Sequence, residues 1–175
     1  SGYSSGPGTS GNYTGSSADY TVSTTYLGRI KDVIDWAKAE GLVTILDFHG
    51  EELKSEFVYT FESNLIDNVN YYTDPSSAKR DADNDKFRTI WTQVATYFKD
   101  YDENLLFEII NEPYFHMSDA DMDTLNSDIL TIIRGSGGGN ATRNVIITGG
   151  TEASHLAPLE IASSVITNDA ASGDY

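Results

Sequence analysis

The chain has 175 residues, 39% of them apolar, which is enough for one real core and too apolar for a disordered polypeptide. Its 27 acidic against 11 basic residues give a net charge of −16, which repels phosphate backbones, excludes nucleic acid as a partner and suits a protein acting on neutral polymers. The absence of cysteine excludes a disulfide framework and a thiolate metal site. No apolar run is long enough to cross a bilayer, so no membrane partner is expected, and no leader peptide is readable at residue 1.

Residues 1–23 are rich in Ser, Gly, Thr and Tyr and read as a flexible N-terminal loop. Residues 24–40 carry the clearest helical stripe, with Leu27, Ile30, Val33, Ile34 and Ala37 recurring at intervals of three and four. Thr24 or Thr25 is the expected N-cap, and Gly41 stands where a helix end calls for a left-handed residue. A buried strand over 42–48 follows, and its end carries Asp47, His49, Glu51 and Glu52.

Residues 53–83 form a long irregular stretch. Phe57, Tyr59, Phe61, Tyr71 and Tyr72 offer flat faces there, on which sugar rings can stack or which pack the loop down. Asp81, Asp83 and Asp85 alternate as a calcium loop begins, but Lys86 and Thr92 occupy its sixth and twelfth positions, so that match fails. The run reads instead as the acidic start of a helix over 84–99, as do Asp119, Asp121 and Asp123 for a helix over 119–134. Glycines 135 and 137–139 stop the latter, and a third buried strand over 144–150 leads into Glu152 and His155. Residues 156–175 lose periodicity, and 170–175 read as neither helix nor strand. Asn12-Tyr13-Thr14 and Asn140-Ala141-Thr142 match the short glycan-acceptor pattern.

Between the last two helices lies the most informative stretch, Leu105-Leu106-Phe107-Glu108-Ile109-Ile110-Asn111-Glu112-Pro113. Six strand-forming residues end in an amide, a carboxyl and a proline that cannot continue a ladder. The helix–strand alternation, with strands near 42, 105 and 144, predicts an α/β fold of parallel βα units. In such folds the C-terminal rim of the sheet is where ligands bind. Glu108 shares the strand parity of Glu112, so it should face the sheet's inner side and need a polar partner.

The run FEIINEP resembles the Asn-Glu-Pro signature of glycoside hydrolase family 5, the cellulase and mannanase family of (β/α)8 barrels. EGLVTILDFHG is similar to the family segment in which a strand ends at an active-site His, here His49; the second His common in the family is Gly50 in this chain. The resemblance implies an incomplete (β/α)8 barrel of about three strands. Residues 24–175 would be a partial catalytic domain from the middle of the family's fold, preceded by the 1–23 loop. It implies hydrolysis of β-1,4-glycosidic bonds in a cellulose-like glucan by a retaining endoglucanase, on a polysaccharide or oligosaccharide substrate, with no cofactor and no metal. Glu112 would be the general acid/base, Asn111 a ligand of the substrate sugar and His49 a third site residue. Glu152, Tyr114 and Phe57 are expected to contact substrate. The family's nucleophile Glu, a His-Tyr pair and an Arg have no counterpart in these residues. The open sheet calls for other copies or another chain to complete it, or these residues are only part of the working protein. The alternatives are a non-catalytic, self-assembling or glycan-binding remnant, or a family member acting on mannan, xyloglucan or mixed-linkage glucan. The resemblance also implies a secreted protein.

Overall fold

The computed structural model describes residues 4–5, 20–49, 78–111, 119–149 and 157–171. In chain order the elements are β1 (Ser4–Ser5), β2 (Thr21–Val22), α1 (Thr24–Ala39), β3 (Thr44–Asp47), α2 (Ala78–Phe98), β4 (Leu105–Glu108), α3 (Asp119–Gly135), β5 (Val145–Ile146) and α4 (Ser163–Thr167), with 3-10 turns at Gly138–Ala141 and Ala157–Glu160. Strands β3, β4 and β5 lie side by side in sequence order, and both pairings are parallel. Thr44 sits opposite Leu105, Asp47 opposite Glu108, and Glu108 opposite Ile146. This is the βα succession that the helix–strand alternation predicts.

The helices form where the apolar stripes are, but their ends differ from expectation in two places. Ser23, not Thr24 or Thr25, caps α1: its hydroxyl accepts from the Tyr26 N–H at 3.3 Å. Helix α2 begins at Ala78 rather than near Asn84. The mostly charged run 79–83 hides its first turns from an apolar-period reading, and the alternating aspartates lie within the helix. Gly41 does end α1 in the left-handed region, at φ 72°. Residues 157–171, which show no periodicity, nevertheless hold α4 and the buried Val165 and Ala171.

The core lies on the helix-covered face of the sheet. Phe87, Trp91, Ala95 and Phe98 of α2 meet Leu105, Phe107 and Ile109 of the β4 segment, and Met122, Leu125, Ile129 and Ile133 of α3 close the other side, all nearly or fully buried. Arg88 ties the two helices on their outer side, its Nε donating to Asp128 Oδ2 at 3.0 Å. The segment 20–22 docks on α2 through one side chain: Gln93 Oε1 accepts from the Val22 N–H at 2.9 Å, and its Nε2 donates to the Tyr20 carbonyl at 3.1 Å. β1 pairs antiparallel with β2. The rest of 1–19 and the aromatic stretch 53–77 lie outside the described residues. Among the described residues no helix is long and apolar enough to cross a membrane.

Two buried arginines hold the N-terminal end of the sheet. Arg143 donates to the carbonyls of Phe98 (3.2 Å), Tyr101 (2.8 Å), Asp102 (2.9 Å) and Leu105, and to Asn140 Oδ1 (2.6 Å). Its guanidinium also lies 4.8 Å from the Phe107 ring centre. Burial lowers its pKa to about 10, so it stays cationic at neutral pH. Arg134 pairs bidentately with Asp169 at 2.9 and 2.8 Å and donates to the carbonyls of Asn140 and Arg143. Asn140 is fully buried, with Nδ2 bonded to the Ala95 carbonyl at 2.8 Å, so the folded chain does not offer its acceptor pattern to a glycan. Gly139 fits against this knot because it has no side chain: a Cβ there would overlap the Tyr101 carbonyl oxygen.

Removing one partner of the Arg134–Asp169 pair strands a buried charge. Asp169→Ala should destabilise the chain by about 3–5 kcal/mol. Lys38→Met removes the exposed pair with Asp102 while keeping an apolar stem, and should shift the urea midpoint far less than Asp169→Ala does, because surface pairs are screened by solvent. Equilibrium denaturation of both variants beside the parent checks the contrast.

Candidate active site

The C-terminal ends of β3 and β4 meet in a short hydrogen-bonded rim. Phe48 N–H donates to the Glu108 carbonyl, and Asn111 N–H donates to the Phe48 carbonyl, each at 3.2 Å. These bonds continue the pairing just past both strands. They bring the residue after Phe48, His49, and the amide residue Asn111 onto neighbouring strand ends.

Side-chain alternation decides which way each residue faces. Leu46 and Phe48 pack toward the helices, and the Phe48 ring meets Phe87 edge-on at 4.8 Å. Ile45, Asp47 and His49 therefore belong to the opposite, inner face, where Ile45 is 55% exposed. On β4 the odd positions Leu105, Phe107 and Ile109 are buried under the helices, which leaves Leu106 and Glu108 on the inner side. Glu108 is engaged there rather than left without a partner.

His49 is held by a neighbour. Its Nδ1 lies 2.7 Å from Asp47 Oδ2, with the His side chain 69% exposed and the Asp side chain 32%. The sequence reading gave Asp47 no role, although an acid two residues before a His at a strand end is a visible signal: on an extended backbone i and i+2 share a face. Trp91 supports the β4 end from the helix side, its indole N–H donating to the Ile109 carbonyl at 3.1 Å. On β5, Asn126 of α3 donates to the Thr148 carbonyl at 2.9 Å, fixing the third strand end from the same layer.

Of the expected site residues, His49 and Asn111 are thus brought to one rim. Glu112, Tyr114, Phe57 and Glu152 lie outside the described residues. Among the described residues no group of three or more His, Asp or Glu is placed to hold a metal ion.

Residues 7–171 match the family model described as cellulase, glycosyl hydrolase family 5. Endoglucanase H of Acetivibrio thermocellus is 36% identical over 139 residues, which are 79% of this chain and 13% of that protein. Endoglucanase A of Paenibacillus barcinonensis is 29% identical over 145 residues, 79% of this chain and 33% of that protein. A tri-modular family 5 (subfamily 4) endo-β-1,4-glucanase from Bacillus licheniformis superposes with a TM-score of 0.57 at 34% identity, over 76% of this chain and 22% of its own. A family 5 xyloglucan-specific endo-β-1,4-glucanase from a metagenomic library, solved with cellotriose, gives 0.61 at 29% identity, over 86% and 42%. The chain spans a third or less of the length of the two endoglucanases compared by sequence. Its three parallel βα units are a portion of a (β/α)8 barrel.

Trp91→Phe keeps an aromatic ring in the core but leaves a small void and the Ile109 carbonyl without its indole donor. It should cost about 1–3 kcal/mol and speed hydrogen exchange at the Asn111 amide, the rim bond next to it. Amide exchange followed by NMR, with a denaturant melt on the same sample, checks both effects.

Proposed function

The chain belongs to glycosyl hydrolase family 5, and on that premise we propose that the protein carrying it is a retaining endo-β-1,4-glucanase acting on cellulose-like glucans. The observation that carries the reading is the rim bond from Asn111 N–H to the Phe48 carbonyl, which sets His49 and Asn111 side by side just before Glu112 in a chain that matches the family over residues 7–171. The cellotetraose and cellotriose complexes of two relatives support a β-1,4-glucan as substrate.

In this reading Glu112, protonated, gives its proton to the leaving glycosidic oxygen and then takes one from water. Its pKa has to be raised for that task, which a second carboxylate and partial burial would do. That second carboxylate, the nucleophile, stands about 5 Å away in a retaining enzyme and would come from a later strand, as the family resemblance implies. Asn111 hydrogen-bonds the 2-hydroxyl of the sugar, a contact that strengthens as the ring gains oxocarbenium character. His49 holds a substrate hydroxyl, and Glu152, Tyr114 and Phe57 line the path of the glucan.

Residues 24–175 are then part of the catalytic domain, with 1–23 leading into it. Val43 and Ile45 beside the open edge of β3 are 60% and 55% exposed, which supports completion of the sheet by further strands, from the same polypeptide, another copy or another chain. An insoluble glucan is met outside the cell, so the protein is a secreted one.

In the protein with its barrel complete, Glu112→Gln should lower turnover on carboxymethylcellulose by about 100- to 10,000-fold. An aryl glycoside whose leaving group needs no proton should lose much less in its first step. Near-normal release of reducing sugar by that variant would overturn the assignment, and glucan binding without release by the parent would favour a non-catalytic remnant.

A further inference from the structure

We propose that Asp47 is a positioning residue for His49: its carboxylate holds the proton on Nδ1, so that the imidazole presents a bare Nε2 to a hydroxyl at the rim. The second half rests on the reading of His49 as a substrate-facing residue; the first half rests on geometry alone.

Three observations carry it. Nδ1 and Oδ2 are 2.7 Å apart, a charge-assisted distance. A carboxylate can only accept, so the proton between them belongs to the ring. The backbone that joins the pair is fixed, because Asp47 is in register with Glu108 and Phe48 is bonded through both its N–H and its carbonyl to the β4 segment. Finally, the pair does little for stability. At 69% and 32% exposure it resembles surface pairs that contribute next to nothing to folding, and Asp is a poor strand residue. A residue that opposes the local preference without stabilising the fold points to a role at the site.

The chemistry is specific. Free neutral histidine in water prefers the proton on Nε2, which would make the outward nitrogen a donor. The Asp47 contact reverses that preference, as a metal-ligating or catalytic histidine is set by the bond on its other nitrogen. His49 then accepts from a sugar hydroxyl, which frees the oxygen of that hydroxyl to take a further bond. Glu108, the register partner of Asp47, is the other described acidic group on this face.

The test is side-chain nitrogen NMR on the 15N-labelled 175-residue chain at a pH where the ring is neutral. The sequence has three histidines, so His49→Gln identifies the signal by its loss. The parent should show His49 with a protonated Nδ1 and an unprotonated Nε2. Asp47→Ala, which leaves Nδ1 no carboxylate to donate to, should move the proton to Nε2, with the backbone amide spectrum otherwise preserved. A proton on Nε2 in the parent, or the same tautomer in the parent and in Asp47→Ala, would overturn the proposal.

Kinetics in the complete barrel separate the two halves. Asp47→Ala should lower kcat/KM on cellotetraose by at least about tenfold, the least expected of a wrongly held tautomer. If the tautomer moves while kcat/KM stays at the parental value, Asp47 is not a positioning residue for the reaction and the proposal fails there. If the parent hydrolyses no glucan at all, the functional reading fails, and the tautomer measurement still decides the Asp47–His49 contact.

Discussion

A buried cation at the N-terminal end of the sheet governs the rest of the structure. Arg143 is 1% exposed and stays charged, and a guanidinium withdrawn from water is costly unless its N–H groups are used. Arg143 uses them on the end of α2, on the turn after it, on the first residue of β4 and on the Gly138–Ala141 turn. No single one of those segments is regular enough to satisfy its own carbonyls. The cation and the irregular backbone are therefore each other's solution: displacing either leaves unsatisfied polar groups in the core. Arg134, with its one buried carboxylate at Asp169, extends the knot to the segment following α4.

That placement divides labour along the strands. At the N-terminal end the turn after α2 and the Gly138–Ala141 turn are held by the guanidinium groups, and Gly139 has no room even for a methyl group. At the C-terminal end the last rungs are single backbone bonds, Phe48 N–H to Glu108 and Asn111 N–H to Phe48. The strand ends there carry an imidazole, His49, and an amide, Asn111. A barrel sheet keeps stability at one end and chemistry at the other, and here the buried guanidinium hydrogen bonds lie at the base, away from both.

The sequence displayed the parts of this arrangement that depend on composition and period. Leu105–Ile110 announces a strand, although only its helix side is fully buried and Leu106 and Glu108 are half-buried on the other, and the polar residues after it announce a rim. The stripe Leu27, Ile30, Ile34 announces α1. What it concealed depends on partners distant in the chain. Arg143 lies beside Asn140-Ala141-Thr142, a polar run that looks like a solvated turn, and only the carbonyls 38 to 45 residues earlier make it a core residue. The first turns of α2 carry Lys79, Arg80 and Asp81, with no apolar period to mark them. Asp169 sits in a stretch with no periodicity because one ion pair, with Val165 and Ala171, does the anchoring that a stripe does elsewhere. Asp47 was legible as a strand-end acid, but its pairing with His49 follows from alternation on a strand whose exact end the sequence does not mark.

The inner face shows how abruptly core becomes site. In register, Ile45 lies beside Leu106, and one layer up Asp47 lies beside Glu108. Two residues along a strand cover about 6.6 Å, so the sheet passes from an aliphatic layer to a carboxylate layer in that distance. An apolar layer alone would leave His49 without a partner on its inner side. A carboxylate layer one step deeper would lie among Ile45 and Leu106, two residues farther from His49. Setting the acids one step below the rim puts Asp47 within 2.7 Å of the imidazole it orients. The same two-residue period that sends Leu46 and Phe48 into the core sends Asp47 and His49 toward the mouth of the sheet, so packing and positioning on β3 are one constraint.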